Sequence, residues 1–247
     1  MKITGAQVFE ARGTFVSRDL YVDGGMLTDR DCGGEVLDAG GCYAIPGLTD
    51  IHFHGAVGHD FSDGDADGLA AIAEYELSRG VTHLFNAMPP FTHRAPGVVG
   101  AAFDTPDCRV ELICDGIHIH PSMVRSMFKL FGADRVVLVS DTMRAAGMAD
   151  GDYSLGGQPV LKKGKYATLA DGTLAGSVTD LMDCMRTAVS FGIPMADAVR
   201  AAAVNPARAI GIYSRCGSLE SGKWANVVLL NRDLSIRNVI FKGEIVK

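Results

Sequence analysis

Between residues 47 and 210 the apolar positions switch repeatedly between two spacings. Runs of strand length occupy 81–85, 110–118 and 135–139. The stretches 66–79, 98–103, 122–131 and 178–191 instead repeat apolar residues at three and four, the spacing of one helix face. Two shorter helices are expected at 195–203 and 206–210, a β-hairpin at 153–169, and a strand at 47–53 leaving the Pro46-Gly47 turn. The flanks read differently. Short β-type runs at 6–10, 14–16, 20–22 and 35–37 are broken by Gly-Gly and Asp-Gly, and similar runs return at 224–230, 235–241 and 244–246. Strand and helix in alternation imply a parallel sheet or barrel, so the fold class is α/β. The two all-β ends are expected to fold together as a small β-sandwich, residues 1–46 with 214–247, beside a barrel domain at 47–213. No repeat at solenoid spacing interrupts this scheme.

Composition narrows the picture. With 247 residues, 47 % of them hydrophobic, the chain can bury a core in one or two domains. No apolar run approaches the roughly 20 residues of a membrane span, and the N-terminus does not read as a signal peptide. Six cysteines without a CxxC pair fit reduced thiols and a cytoplasmic location. A net charge of −6 without a basic block argues against nucleic acid or an anionic membrane as partner. A small anion would need a local cluster of Arg, His and backbone donors.

The chemistry-bearing residues collect at the ends of the expected strands. The first strand supplies His52 and His54, spaced to point the same way. The second supplies His83 and Asn86, the third Asp115, His118 and His120, the fourth Asp141. Each has a plain alternative: two polar strand-end residues, a turn former, a cap, an exposed loop histidine. Together they are hard to explain by packing, because buried His and Asp are costly unless paired or metal-bound. They favour a metal-dependent hydrolytic site.

At this point several stretches resemble one family: PGLTDIHFHG, HLFNAMPPFTHRAPGVVGAAFD, DGIHIHP, VLVSDTM, DGTLAGS, VNPARAIG and the closing GSLESGKWANVVLLN. In this order, over nearly the whole chain, they are similar to the N-acetylglucosamine-6-phosphate deacetylases of the amidohydrolase superfamily. The resemblance implies a metal-bearing TIM barrel with a β-sandwich from both chain ends. It also implies hydrolysis of the acetamide of N-acetylglucosamine-6-phosphate to glucosamine-6-phosphate and acetate, in amino-sugar catabolism. Carried onto this chain, it makes Asp141 the catalytic acid and base, and His52, His54 and His83 ligands of a divalent metal, zinc or iron. His118 would hydrogen-bond the substrate and help polarise the carbonyl, and Asp115 would be a further substrate-binding residue. Asn86 and Ala87 would contact the sugar phosphate, Arg94 would grip the phosphate of the neighbouring subunit's substrate in a homodimer, and Leu174, Ala175 and Gly176 would line the acetyl pocket.

The departures from the family are equally specific. A His-Leu-Glu-Gly-Pro segment and a Gly-His-Ser segment, whose Glu and His bind metal in the family, have no counterpart here. The glutamates present are Glu10, Glu35, Glu74, Glu76, Glu111, Glu220 and Glu244; Glu111 is expected at the start of its strand, the end away from the site. Gly80-Val81-Thr82 joins the helix at 66–79 directly to His83. The stretch 48–213 is about 166 residues long, against about 250 for a full barrel. By the resemblance the chain keeps the first, sixth, seventh and eighth strands, a contiguous half-barrel that a dimer would cover. Three imidazoles and one carboxylate suffice for a site with an open position, while the absence of a bridging carboxylate or lysine argues against two metals. A catalytically impaired truncated homologue that keeps fold and metal or sugar-phosphate binding with little turnover is one alternative. Another amidohydrolase, dihydroorotase-like or aminoacylase-like, is the other, and HLFNAM and the Arg94 loop weigh against it.

Overall fold

A computed structural model describes residues 1–56, 59–60 and 80–247, and these separate into two units. The helix expected at 66–79, with Glu74 and Glu76, lies outside the described residues.

The first unit joins Met1–Thr49 to Pro194–Lys247. Its larger sheet has six strands in the order Glu244–Ile245, Ile236–Phe241, Val227–Leu230, Tyr43–Pro46, Gln7–Glu10, Thr14–Ser17. Both chain ends therefore share one sheet, stitched where Val227–Leu230 runs antiparallel to Tyr43–Pro46. A second sheet orders Met26–Thr28, Leu20–Asp23, Lys2–Thr4 and Val36–Asp38. Period-two alternation directs Ile3, Leu20, Val22 and Leu27 of the smaller sheet into one cluster with Val8, Ala44, Val227, Leu229 and Ile240 of the larger. The two helices expected at 195–203 and 206–210 form one continuous helical run instead. It comprises Met195–Val199, a π-helical Arg200–Val204 and Asn205–Ala209.

The second unit, Asp50–Ile193, carries a parallel sheet of Gly80–Val81, Arg109–Ile113 and Val136–Val139. Val136–Val139 is buried at all four positions, as a parallel strand covered on both faces requires. The helices Gly97–Asp104, Pro121–Phe131 and Leu181–Ser190 match the three-and-four spacing. Pro121 starts its helix under a cap from His120, whose Nδ1 accepts from the Ser122 N–H at 3.2 Å. That assigns His120 a local structural task. Asp180 caps Leu181–Ser190 through the Asp183 N–H at 2.8 Å.

Four further expectations change. Residues 47–53 are not a strand: the ladder ends at Pro46, and the segment is fastened instead by Asp141 N–H to His52 C=O at 2.9 Å and His54 N–H to Thr142 C=O at 2.7 Å. The strand at 81–85 shrinks to Gly80–Val81, after which the chain turns. The strand at 110–118 ends at Ile113, because the Asp115 carboxylate draws the Ile117 and His118 N–H groups into a turn, both at 2.9 Å. The hairpin at 153–169 is a three-stranded meander, Gly151–Leu155, Gln158–Lys163 and Tyr166–Thr168. Among the described residues no helix is long and apolar enough to cross a membrane.

Candidate active site

Three chain segments meet beyond the end of Val136–Val139. Residues 52–54 hydrogen-bond to 141–142 on one side. On the other side the Ser177 N–H donates to the Asp141 C=O at 2.8 Å, and the Met143 N–H to the Ser177 C=O at 2.9 Å. Asp141 is thereby held between two neighbours, with its backbone in the left-handed region at φ 50°. Gly176 packs against it: a Cβ there would come within 3.3 Å of the Asp141 carbonyl oxygen, at φ 63°.

This arrangement brings His52, His54 and Asp141 together, with one ligand atom of each within 4.8 Å of the others. Asp141 Oδ1 lies 3.4 Å from His52 Nε2 and 3.1 Å from His54 Nε2. The His52 and Asp141 side chains are only 11 % and 9 % exposed, whereas His54 is 44 % exposed and forms the open edge.

The far side of His52 decides what its Nε2 can do. His52 Nδ1 lies 3.0 Å from Glu111 Oε2 and 2.6 Å from Thr82 Oγ1, and the Thr82 hydroxyl donates to the same carboxylate oxygen at 2.8 Å. A carboxylate only accepts, so Nδ1 carries a proton and, in the neutral ring, Nε2 presents a lone pair. That lone pair faces Asp141 Oδ1, a buried oxygen without a hydrogen-bond donor among the described residues. Two acceptors face each other and need a cation between them, a shared proton or a metal ion. Two imidazoles and a carboxylate are ordinary donors for a divalent metal, and the site fits one.

His83 approaches the group without joining the converging set. Its ring centroid is 5.2 Å from that of His52, and its Nδ1 donates to the Asn86 C=O at 3.1 Å, which leaves a lone pair on Nε2. The turn that carries it is strained: His83, Phe85 and Ala87 all have positive φ, at 31°, 77° and 54°. Asn86 holds this turn through its side-chain amide, which donates to the carbonyls of His83 and Leu84. Ala87 and Arg94 are exposed.

Asp115 and His118 form a separate buried pair. His118 Nδ1 donates to Asp115 Oδ2 at 2.7 Å, with 5 % and 4 % of the side chains exposed. Burial pushes the Asp115 carboxyl up. The hydrogen bond and charge of His118, with the two backbone N–H groups, outweigh it and hold the carboxyl below the usual range. Asp115 and Ile117 line a cleft of about 1100 Å³ whose opposite side carries Lys163, Lys165 and Tyr166 of the meander. Leu174 bridges to Thr168 and Ala175 donates to the Ala167 C=O, so 174–176 links this meander to Asp141.

Sequence reasoning missed Glu111. Placed by expectation at the end away from the site, it sits mid-strand in Arg109–Ile113 with its carboxylate on His52. The signal was present: a glutamate between the fully buried Val110 and Leu112 points from the strand's opposite face, and a carboxylate that is 13 % exposed needs a partner.

A family model described as "Amidohydrolase family" matches residues 66–246. The N-acetylglucosamine-6-phosphate deacetylase of Bacillus subtilis is 38 % identical over 199 residues, 80 % of this chain and 50 % of the relative. The N-acetylgalactosamine-6-phosphate deacetylase of Escherichia coli O157:H7 is 38 % identical over 167 residues, 67 % of this chain and 44 % of that protein. The chain spans about half the length of these curated relatives. Among solved structures, an aspartate-to-alanine mutant of the Mycobacterium smegmatis N-acetyl-D-glucosamine-6-phosphate deacetylase, in complex with N-acetyl-D-glucosamine-6-phosphate, aligns with TM-score 0.87 at 22 % identity. The alignment covers 100 % of this chain and 99 % of that one, and at this identity the likeness is one of fold. The chain belongs to the amidohydrolase family.

Proposed function

We propose that this chain removes the acetyl group of N-acetylglucosamine-6-phosphate, giving glucosamine-6-phosphate and acetate, with one divalent metal, zinc or iron, at His52, His54 and Asp141. The observation that carries this is the lone pair of His52 Nε2 facing the donorless Asp141 Oδ1 at 3.4 Å. When bound, such an ion lowers the pKa of water towards about 7 and polarises the amide carbonyl. Asp141 takes the proton of the attacking water and returns it to the departing amine. His83, whose ring lies 5.2 Å from that of His52, would complete the ligand set. His118, oriented by Asp115, would hydrogen-bond the substrate. Asn86 and Ala87 contact the sugar phosphate, and 174–176 lines the acetyl pocket beside Asp141.

The architecture we propose is a partial TIM barrel in 47–213 with a sandwich from 1–46 and 214–247. A homodimer would cover the open sheet edges and carry Arg94 to the neighbouring site. Six free cysteines suit a cytoplasmic location.

A second reading is favoured by the chain's length relative to its relatives and by its missing Glu and His segments: a homologue that binds metal and sugar phosphate without turnover. Elemental analysis and a glucosamine-6-phosphate release assay on one sample separate the two. About one tightly held metal per chain with turnover supports deacetylation, whereas metal without turnover selects the second reading. Running the galactosamine epimer alongside addresses the sugar, given the name of the Escherichia coli relative.

A further inference from the structure

The family resemblance offers no role for Glu111, and the metal reading uses only the Nε2 side of His52. We infer that Glu111, with Thr82, is a positioning residue that fixes His52 in the Nδ1–H tautomer and so commits its Nε2 to the metal. The geometry is closed on all sides. One carboxylate oxygen, Oε2, accepts from His52 Nδ1 at 3.0 Å and from the Thr82 hydroxyl at 2.8 Å, while the Thr82 oxygen sits 2.6 Å from the same Nδ1. The backbone fastens both ends. Arg109–Ile113 is laddered to Gly80–Val81 on one side and Val136–Val139 on the other, and the Leu84 N–H donates to the Glu111 C=O at 2.8 Å. The Glu111 carboxylate thus reaches the His52 ring from a backbone held on both sides.

A metal-binding imidazole needs its lone pair on one named nitrogen. An uncommitted ring divides itself between two tautomers and two orientations, only one of which places Nε2 against Asp141. An acceptor behind the ring removes that choice and raises the basicity of the ligating nitrogen. His54, with its 44 % exposed ring, has no comparable support among the described contacts, so the burden of pre-organisation falls on His52.

This inference rests on the proposed metal site, and the experiment keeps the two apart. Metal-free protein is titrated with Co²⁺, read by visible absorbance and calorimetry, for the wild type, Glu111→Met and Glu111→Gln. The methionine preserves bulk and removes the acceptor; the glutamine restores an acceptor. Glu111→Met is expected to weaken Co²⁺ binding roughly 10- to 100-fold, with Glu111→Gln recovering most of it. In metal-free protein, ¹⁵N spectra of the histidines are expected to show His52 as the Nδ1–H tautomer, and Glu111→Met to lose that preference. Folded Glu111→Met with wild-type Co²⁺ affinity, or Glu111→Gln as weak as Glu111→Met, overturns the role given to Glu111. A folded wild type that takes up no Co²⁺ overturns the metal site itself, and this inference with it.

Discussion

Asp141 occupies two positions at once in this site. Its oxygen is near enough to both Nε2 atoms to be a ligand, and its placement beside them suits a proton carrier. Asp141→Asn is expected to lower turnover by about 10²- to 10⁴-fold, the usual worth of a positioned acid and base. Metal analysis of the same variant tells which task dominates: metal retained means proton transfer, metal lost means ligation. The Asp115–His118 pair makes a different prediction. A carboxyl held below its unfolded value near about 3.9 adds stability at all pH values above that and loses it as pH falls through the folded value. Asp115→Asn is therefore expected to be less stable near neutrality, with a shallower fall in stability below about pH 4, as read by urea unfolding at a series of pH values. A wild-type slope in the variant would contradict this. His52, His54 and Asp141, which the structure brings together, were readable from the sequence as residues, but the strand end expected to carry the two histidines is an irregular segment. Glu111 was not, because its importance lies in what stands opposite it, and a strand's pattern gives the face of a residue without naming its neighbour.

Regular elements announced themselves where one face is apolar and the other wet. Pro121–Phe131 and Leu181–Ser190 have that pattern and form as expected, and Val136–Val139 is apolar throughout because it is covered throughout. The errors lie where the apolar run does not decide the hydrogen bonds. Residues 47–53 read as a strand, yet a strand requires a ladder alongside, and this segment has two backbone bonds to 141–142 in its place. The meander was read one strand short because Gly164-Lys165 makes a two-residue turn that returns the chain from Lys163 to Tyr166. Segment 174–176 carries the clearest test of this level. Gly176→Ala forces a side chain into the left-handed region against the Asp141 carbonyl, and is expected to destabilise the fold by about 1–2 kcal/mol. A midpoint in urea equal to the wild type would show that the segment yields freely.

The shared sheet of the two chain ends was foreseeable from their matching style, and the alternation between them from its period. How the edges of the three-stranded parallel sheet are covered was not, since edges are covered by partners that periodicity does not mention. One feature reaches beyond the site. His52 and Asp141 stand far apart along the chain and touch only because 52–54, 141–142 and 177 are bonded side by side. In the unfolded chain these donors are scattered, so any ion they hold is held by the native state alone. Binding free energy then becomes folding free energy, and the protein's heat resistance becomes a function of its ionic surroundings. Raising free Zn²⁺ from far below to 100 times its dissociation constant should add about 2.7 kcal/mol, moving the thermal midpoint upward, and a chelator should reverse it. A midpoint indifferent to Zn²⁺ would mean that the three segments meet for reasons of packing alone. A midpoint that rises with Zn²⁺ would make the ion a part of the fold itself.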